Sequence, residues 1–236
     1  MYKGLAAPDL LTTYQTERHP VIAQMLATTS GLYSRLVDQS PYESAKDRET
    51  SHETGFVRWR NRALHQLDIN YRWSPIVFDY RGKGDFDEEA LKARGYTGYL
   101  GEPVRAGDRA PEAPGLVDAT GKETSLFQVF KANVHTLLLF VPDGAREKAK
   151  EIVDAAQASS LAGTLNFVLL GREGVPAVIE GVTTYHDKEG YAHKGYGVDD
   201  KALTVVVVRP DGYIGAFVQD VDGLKTYISR IVDGFL

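Results

Sequence analysis

The sequence contains no cysteine, and this absence excludes several kinds of chemistry together. Without a thiol there can be no disulfide, no thiolate nucleophile, no CxxC redox motif and no cysteine-ligated zinc or iron–sulfur site. The chain also lacks a basic run and has a formal net charge of −5, which argues against binding to nucleic-acid phosphates. No apolar stretch approaches the length of a membrane span. We therefore expect neither a nucleic-acid partner nor a membrane partner.

An export signal is a further missing feature. The first residues, MYKGLAAPDLLTTYQ, show no basic flank followed by an apolar segment and a small-residue cleavage site, so a cytoplasmic location is expected. What the chain does have is apolar content: 43% of its 236 residues are hydrophobic and 25% are charged. This composition is enough to bury a core, as one large domain or as a domain with an extension.

The N-terminal part predicts a helix followed by irregular connections. Apolar residues at helical spacing between Leu11 and Leu26 predict the helix, and Pro20 inside it predicts either a kink or two helices that meet near His19. The polar residues 39–55 predict a loop. After it comes a segment rich in aromatic residues and arginine, and then a Gly/Asp-rich surface connection. We expect three parts: a helical extension (1–40), a connecting segment (41–101) and a folded domain (102–236).

The C-terminal part follows a regular order of elements. Two apolar runs predict strands on either side of a helix that begins at Asp143 as N-cap, and the stretch VVVVRPDGYIG predicts a hairpin followed by a closing helix. Strand, helix, strand, then two antiparallel strands and a helix is the order of a thioredoxin-like fold. The predicted fold class is therefore α/β, a thioredoxin-like mixed sheet with flanking helices and an N-terminal helical extension.

Residues Val104–Phe130 resemble the entry segment of peroxiredoxin-type domains, with a Gly-Asp-x-x-Pro start and a glycine turn before a short helix. The resemblance concerns the fold. A peroxiredoxin-like site would need its cysteine just after the strand that ends at Val141, where the chain has Pro-Asp-Gly. The cis-proline that usually precedes the hairpin is also missing, since Gly197–Ala202 reads GVDDKA. Both halves of that redox site are absent from the sequence.

Several separated segments resemble the C-terminal portion of the phenol hydroxylase-like family of FAD-dependent aromatic monooxygenases. KGLAAPDLLTTYQTERHPVIAQML resembles the long helix that these enzymes place after their last flavin motif. INYRWSPIV resembles the segment that leads into their C-terminal domain, and RAGDRAPEAPGLVD and VVVVRPDGYIG resemble stretches of that domain. The resemblance covers nearly the whole chain and implies a thioredoxin-like dimerisation domain.

The FAD-binding motifs of that family are not found in the sequence. A dinucleotide is held where a glycine-rich turn joins a strand to a helix, and the glycine clusters at Gly82–Gly84 and Gly95–Gly101 do not lie in such a unit. Met1 falls just downstream of the point where the last flavin motif would end. We therefore expect no cofactor and no phenol hydroxylation by this chain alone.

Three interpretations of function remain open. The chain is a stand-alone, flavin-less derivative whose thioredoxin-like part dimerises or scaffolds, pairing with itself or with an intact monooxygenase. Alternatively, it is a cofactor-independent isomerase, cyclase or dehydratase that acts on an aromatic or polyketide-like metabolite. In the third interpretation it is a piece of a longer enzyme, although the initiating methionine argues against this.

The enzyme interpretation needs a proton carrier beside a group that stabilises negative charge on oxygen. Two segments supply candidates. The aromatic and arginine-rich segment and the later polar stretch TTYHDKEGYAHKGYG together provide the candidate catalytic residues Arg58, His65, Asp68, Tyr71, Tyr185 and His186. Structural packing and a solvated loop are the simpler interpretations of the two segments. His186 and His193 match no familiar metal-ligand spacing, so no metal is expected.

Overall fold

A single eight-stranded sheet organises the computed structural model, which describes residues 4–6, 8–38, 65–82, 87–172, 178–199 and 201–232. The strands are β1 (Phe78–Asp79), β2 (Leu116–Asp118), β3 (Glu123–Thr124), β4 (His135–Phe140), β5 (Leu165–Gly171), β6 (Thr183–Asp187), β7 (Thr204–Val208) and β8 (Ile214–Val218). The helices are α1 (Leu10–Asp38), α2 (Glu88–Ala93), α3 (Leu126–Val129), α4 (Arg146–Gln157), α5 (Tyr191–Tyr196) and α6 (Val221–Ser229). Along the sheet the strand order is β1-β8-β7-β4-β5-β6-β2-β3.

The centre of the sheet is a strand–helix–strand unit joined to a hairpin. Strands β4 and β5 are parallel and connected through α4, whereas β7 runs antiparallel to β4 and β8 antiparallel to β7. Every residue of β7 and β8 is buried, as expected for strands covered on both faces. The β-branched run Val205–Val208 therefore fits a central strand. The predicted thioredoxin-like fold class, with an N-terminal helical extension, is confirmed.

Helices cover both faces of this sheet. On one face α4 and α6 pack side by side, and they bury Ile152 and Val153 of α4 together with Leu224 and Ile228 of α6. This apolar face of α4 is the one that the helical spacing predicts. The other face is covered by α3, α5 and the segment before β2. These elements pack on a second core, whose central strand residues are Leu138, Phe140, Val206 and Val208.

Two helices differ from the sequence predictions. Helix α1 is one helix of 29 residues with Pro20 inside it, so the alternative of two helices is wrong. Helix α4 begins at Arg146 with Ala145 as its N-cap, and the predicted N-cap Asp143 lies before the helix. The reason is a turn: the Ala145 N–H donates to the Pro142 carbonyl at 3.1 Å, and Gly144 has a φ of 79°.

The segment before the folded core adds an edge strand and a third apolar cluster. Strand β1 pairs in parallel with β8, which brings part of the predicted connecting segment into the sheet. The third cluster joins α1 to this segment and to the hairpin, and its buried members are Val21, Ile69, Tyr71, Trp73, Tyr96 and Tyr213. No helix in the described ranges is long and apolar enough to cross a membrane.

Candidate functional site

The described candidate residues of the aromatic segment lie in different surroundings. Tyr71 is fully buried, and its ring packs against Trp73 at 5.9 Å and Tyr213 at 4.6 Å between centroids. His65 is exposed and Asp68 is half-buried beside Gly98. Burial raises the pKa of the Tyr71 hydroxyl, so this group stays neutral at working pH. Tyr71 is thus a core residue, and Arg58 lies outside the described residues.

The two candidates of the polar stretch lie on β6 and face opposite sides of the sheet. Neighbouring residues of a strand point to opposite faces, so Tyr185 and His186 cannot form one site. Tyr185 packs against the second core, and burial raises the pKa of its hydroxyl. The predicted solvated loop is wrong here, because residues 183–187 form a strand and residues 191–196 form α5. In the sheet β6 is five strand positions away from β1, so the two candidate groups remain separate.

A buried carboxylate–imidazole pair lies beside these candidates. Asp187 ends β6 and is 1% exposed, and its Oδ2 is 2.7 Å from Nδ1 of His193 on α5. The His193 backbone N–H also donates to this oxygen at 3.0 Å. Burial by itself would raise the pKa of Asp187, but the hydrogen bonds from His193 lower it below its ordinary value. The ring of His193 packs edge-on against Phe140 at 4.9 Å, so the pair ties α5 to the sheet.

A second buried ion pair joins the hairpin to α1. The Arg209 guanidinium donates to both carboxylate oxygens of Glu17, at 2.6 and 3.0 Å, and to both oxygens of Asp211. Ser74 Oγ also donates to Glu17 Oε1 at 2.7 Å. Asp211 lies two positions along the same turn and is therefore a local partner of Arg209. Glu17 could not be found from the sequence, because 192 positions separate it from its partner.

Several charged side chains in and beside one cavity pair with each other. A cavity of about 310 Å³ lies between the connecting segment and the residues before β2, and its lining includes Arg72, Tyr99 and Glu102. Arg72 makes two hydrogen bonds of 2.8 Å to Asp108, and its guanidinium lies 3.6 Å from the centre of the Tyr99 ring. Arg94 covers the same ring at 3.8 Å and pairs with Glu102. These contacts hold the segment in place and occupy the guanidinium groups of Arg72 and Arg94.

The place where thioredoxin-like proteins carry their redox site is a shallow polar cleft. It has a volume of about 660 Å³, and the turn after β4 and the residues before β7 line it, among them Pro142, Asp143, Ala202 and Leu203. No cysteine exists to occupy either position. In the part of the chain that the structure describes, no three His, Asp or Glu residues come together in a way that could hold a metal ion.

Comparison with known proteins finds similarity to the phenol hydroxylase dimerisation domain and to flavin-dependent monooxygenases. Residues 177–234 match the family model of the phenol hydroxylase C-terminal dimerisation domain. A flavin-dependent monooxygenase of Mycobacteroides abscessus is 29% identical over 227 residues, which cover 96% of this chain and 32% of that protein. Pentachlorophenol 4-monooxygenase of Sphingobium chlorophenolicum is 27% identical over 220 residues, which cover 91% of this chain and 35% of that protein.

A solved structure shows the same fold over nearly the whole chain. The flavin-dependent monooxygenase PieE, in complex with FAD and substrate, aligns with 97% of this chain and 40% of its own length, at 23% identity and a TM-score of 0.58. The predicted resemblance to the C-terminal portion of phenol hydroxylase-like monooxygenases is therefore confirmed. The chain spans about a third of the length of the curated relatives it matches.

Proposed function

We propose that this chain is a dimerisation and scaffold module of the phenol hydroxylase type, with no thiol redox activity of its own. The observation that carries the proposal is the match of residues 177–234 to the C-terminal dimerisation domain. This range contains β6, α5, the β7–β8 hairpin and α6. It therefore includes two of the four central strands, β7 and β8. The absence of cysteine supports a thioredoxin-like fold used for assembly, because that fold acts on disulfides through thiols.

We further propose that the chain by itself does not hold FAD. The pyrophosphate of a dinucleotide binds where a glycine-rich turn meets a helix N-terminus. Among the described residues the helix that crosses between parallel strands is α4, and the turn before it contains one glycine, Gly144, with Asp143 beside it. One glycine does not make the glycine-rich turn that lets backbone N–H groups approach a pyrophosphate, so the residues do not fit the cofactor.

The assignment without FAD can be tested on the purified full chain. After incubation with FAD and removal of free flavin on a desalting column, the protein fraction should show no visible flavin absorbance. Flavin that stays with the protein at a stoichiometric ratio would contradict the assignment. Bovine serum albumin treated in the same way would control for carry-over.

No described observation favours the alternative of a cofactor-free isomerase, cyclase or dehydratase. The candidates Tyr71 and Tyr185 lie in different cores, and burial raises the pKa of both hydroxyl groups. In the buried Asp187–His193 pair the two side chains are hydrogen-bonded to each other, and the pair holds α5 against the sheet. An aromatic or polyketide-like small-molecule partner therefore stays a prediction from the sequence.

The proposed partners are a second copy of this chain or an intact monooxygenase of the same type. Because one relative is named a flavin-dependent monooxygenase and another pentachlorophenol 4-monooxygenase, we place the chain in the metabolism of aromatic compounds, including secondary metabolism. A cytoplasmic location stays a prediction from the sequence. Light scattering coupled to gel filtration tests the first partner. At micromolar concentration the full chain should elute with twice the 26.0 kDa mass of one chain, and a mass of one chain would overturn the dimerisation role.

A further inference from the structure

The cavity of about 310 Å³ lies where two apolar clusters meet without filling the space between them. Ala106 belongs to the second core and Val77 packs against it, whereas Leu91 of α2 packs against the third cluster. All three side chains line the cavity. Protein interiors are close-packed, and voids much larger than a water molecule are few. The described chain therefore leaves open a space that its apolar side chains could have filled.

One nitrogen of the Arg72 guanidinium has no hydrogen bond, although the side chain is 6% exposed and lines the cavity. Nε and Nη2 donate to Asp108, and Nη2 also donates to the Pro103 carbonyl at 3.3 Å. Nη1 makes no hydrogen bond in the described chain, because the Glu102 oxygen with which it pairs is 3.6 Å away. Buried donors are normally satisfied, so Nη1 indicates an acceptor that the described chain does not supply.

A second donor without a partner belongs to the same lining. The hydroxyl oxygen of Tyr99 is buried and has no hydrogen-bond partner among the described residues. Burial raises the pKa of this hydroxyl despite the charges of Arg72 and Arg94, so it stays protonated and can donate. The two guanidinium groups lie 3.6 and 3.8 Å from the ring centre and hold the ring in place. Two donors without acceptors in one lining favour a ligand that carries an acceptor atom.

The charges near Nη1 favour an uncharged ligand over an anion. Asp108 already balances the charge of Arg72 through two hydrogen bonds of 2.8 Å. A ligand carboxylate at Nη1 would lie close to the Glu102 carboxylate, which is 3.6 Å from the same nitrogen, and would be repelled. Two further charged residues of the lining, Asp79 and Arg105, are of opposite sign. An uncharged carbonyl oxygen accepts from a guanidinium without this repulsion.

We propose that this cavity binds a small uncharged molecule of the ketone class, with a compact apolar body and one carbonyl oxygen. The body lies against Val77, Leu91 and Ala106, and the oxygen accepts from Nη1 of Arg72. A volume of about 310 Å³ is at the lower end of the range for small-molecule pockets, which fits a ligand of one or two rings. The lining lies outside residues 177–234, so the site does not depend on the dimerisation role.

Titration of the full chain with acetophenone tests the site. Acetophenone carries one carbonyl oxygen on an apolar ring, ethylbenzene has a similar body without an acceptor, and benzoate carries a carboxylate. Amide NMR signals around residues 72–79 and 99–106 should shift with acetophenone, at a Kd in about the millimolar range. Ethylbenzene and benzoate should each bind about threefold to tenfold more weakly.

Two outcomes of this titration would overturn the proposal. If ethylbenzene binds as well as acetophenone, Nη1 is not a ligand donor. If acetophenone shifts no amide signals of the lining, or shifts signals over the whole surface alike, the cavity is not its site.

Glu102→Gln tests the argument from charge. Glutamine keeps the size of the side chain and an oxygen for Arg94, but it removes the negative charge near Nη1. Benzoate binding should strengthen by about threefold to tenfold, and acetophenone binding should change by less than about twofold. Unchanged benzoate binding by the variant would contradict the position of the ligand oxygen at Nη1.

Leu91→Trp tests the apolar part of the site, because it places a larger side chain in the cavity from α2. The variant should bind acetophenone about tenfold more weakly or not at all. Leu11→Trp, at a 64% exposed position on α1, is the matched control and should bind as the unchanged chain does. Circular dichroism and thermal unfolding of both variants separate a filled cavity from a lost fold. Undiminished binding by a folded Leu91→Trp chain would overturn the proposed location.

Discussion

Arg209 links three segments of the chain through a single guanidinium group. It binds Glu17 on α1 and Asp211 in its own turn, and Glu17 in addition accepts the Ser74 hydroxyl. Glu17 is 3% exposed, so its carboxylate is stabilised by this partner rather than by water. A buried pair adds little net stability compared with an apolar replacement, but the loss of one member leaves an uncompensated charge. The pair therefore fixes how α1 docks on the hairpin.

Removal of Arg209 should be costly. We predict that Arg209→Met lowers the free energy of unfolding by about 3–5 kcal/mol, because Glu17 stays buried without a counter-charge. Urea denaturation would measure the loss. Lys150→Met is the control, since Lys150 pairs with Asp154 in an exposed (i, i+4) bridge, and it should cost less than about 1 kcal/mol. The double variant Glu17→Gln/Arg209→Met should recover part of the loss, and a cost equal to that of the control would contradict this account of Arg209.

His135 should make stability depend on pH between neutrality and about pH 4. Burial, and next the Arg209 charge, lower the pKa of His135 to about 4, against the partly opposing charge of Asp211. An unfolded histidine has a pKa of about 6.5, so the unfolded state binds the proton first. The contribution of His135 to stability is therefore fully present above about pH 6.5, and it is lost as the pH falls toward 4.

The contribution of His135 can be isolated by substitution. In His135→Gln the decrease in unfolding free energy between about pH 7 and about pH 4.5 should be smaller by about 1–3 kcal/mol, after allowance for partial solvent contact. Urea titrations at both pH values would measure the difference. His19→Gln, which removes an exposed histidine, is the matched control. Equal slopes in His135→Gln and the unchanged protein would show that His135 titrates normally.

Residue pairs of this kind were the least accessible to prediction from sequence. Arg209 follows a buried run and could be expected to meet a carboxylate, but Glu17 is too distant in sequence to identify. Asp187 and His193 lie in a stretch whose polar content predicts a loop, and nothing in its spacing shows that both are buried. Their burial becomes favourable only because each is the partner of the other.

At the scale of elements, prediction succeeded where burial imposes a pattern. The run Val205–Val208 with its Arg-Pro-Asp-Gly turn predicts the hairpin, and the Arg209 N–H donates to the Tyr213 carbonyl at 2.7 Å to close it. The apolar spacing of α4 predicts the crossover. Strand β6 was missed because its side chains are mostly half-buried on both faces, which leaves no clear alternation. Helix α4 begins after Asp143 because residues 142–145 form a turn.

A close approach between elements explains one glycine. Gly107 has a φ of 95°, and a Cβ there would lie 2.5 Å from the Arg72 backbone nitrogen. The Tyr71 N–H donates to the Gly107 carbonyl, and the Gly107 N–H donates to Ile214, each at 2.7 Å. Gly107 thus joins the segment around Tyr71 to the edge of the hairpin.

Substitution of Gly107 should separate these elements. Gly107→Ala and the control Gly121→Ala both place a side chain at positive φ, which costs about 1–2 kcal/mol, but the space beside Gly121 is open. We predict that Gly107→Ala lowers the free energy of unfolding by about 1–3 kcal/mol more than the control. Urea denaturation would give both values. Similar losses in the two variants would mean that the close approach is not required.

At the scale of the whole molecule, a thioredoxin-like sheet is found in a chain that has no cysteine. The sheet keeps the thioredoxin-like order, yet the cleft at the end of β4 carries Pro142 and Asp143 where a thiol would act. The match to a dimerisation domain favours contact with another chain. The sequence resemblance predicts the relationship to phenol hydroxylase-like monooxygenases, but the way in which α1 docks on the hairpin is shown only by the structure.

Sedimentation equilibrium of the full chain over a dilution series tests the dimerisation role most directly. The account predicts a mass of twice 26.0 kDa at micromolar concentration, which falls toward the mass of one chain on dilution. A mass of one chain for the unchanged protein at every concentration would contradict the account.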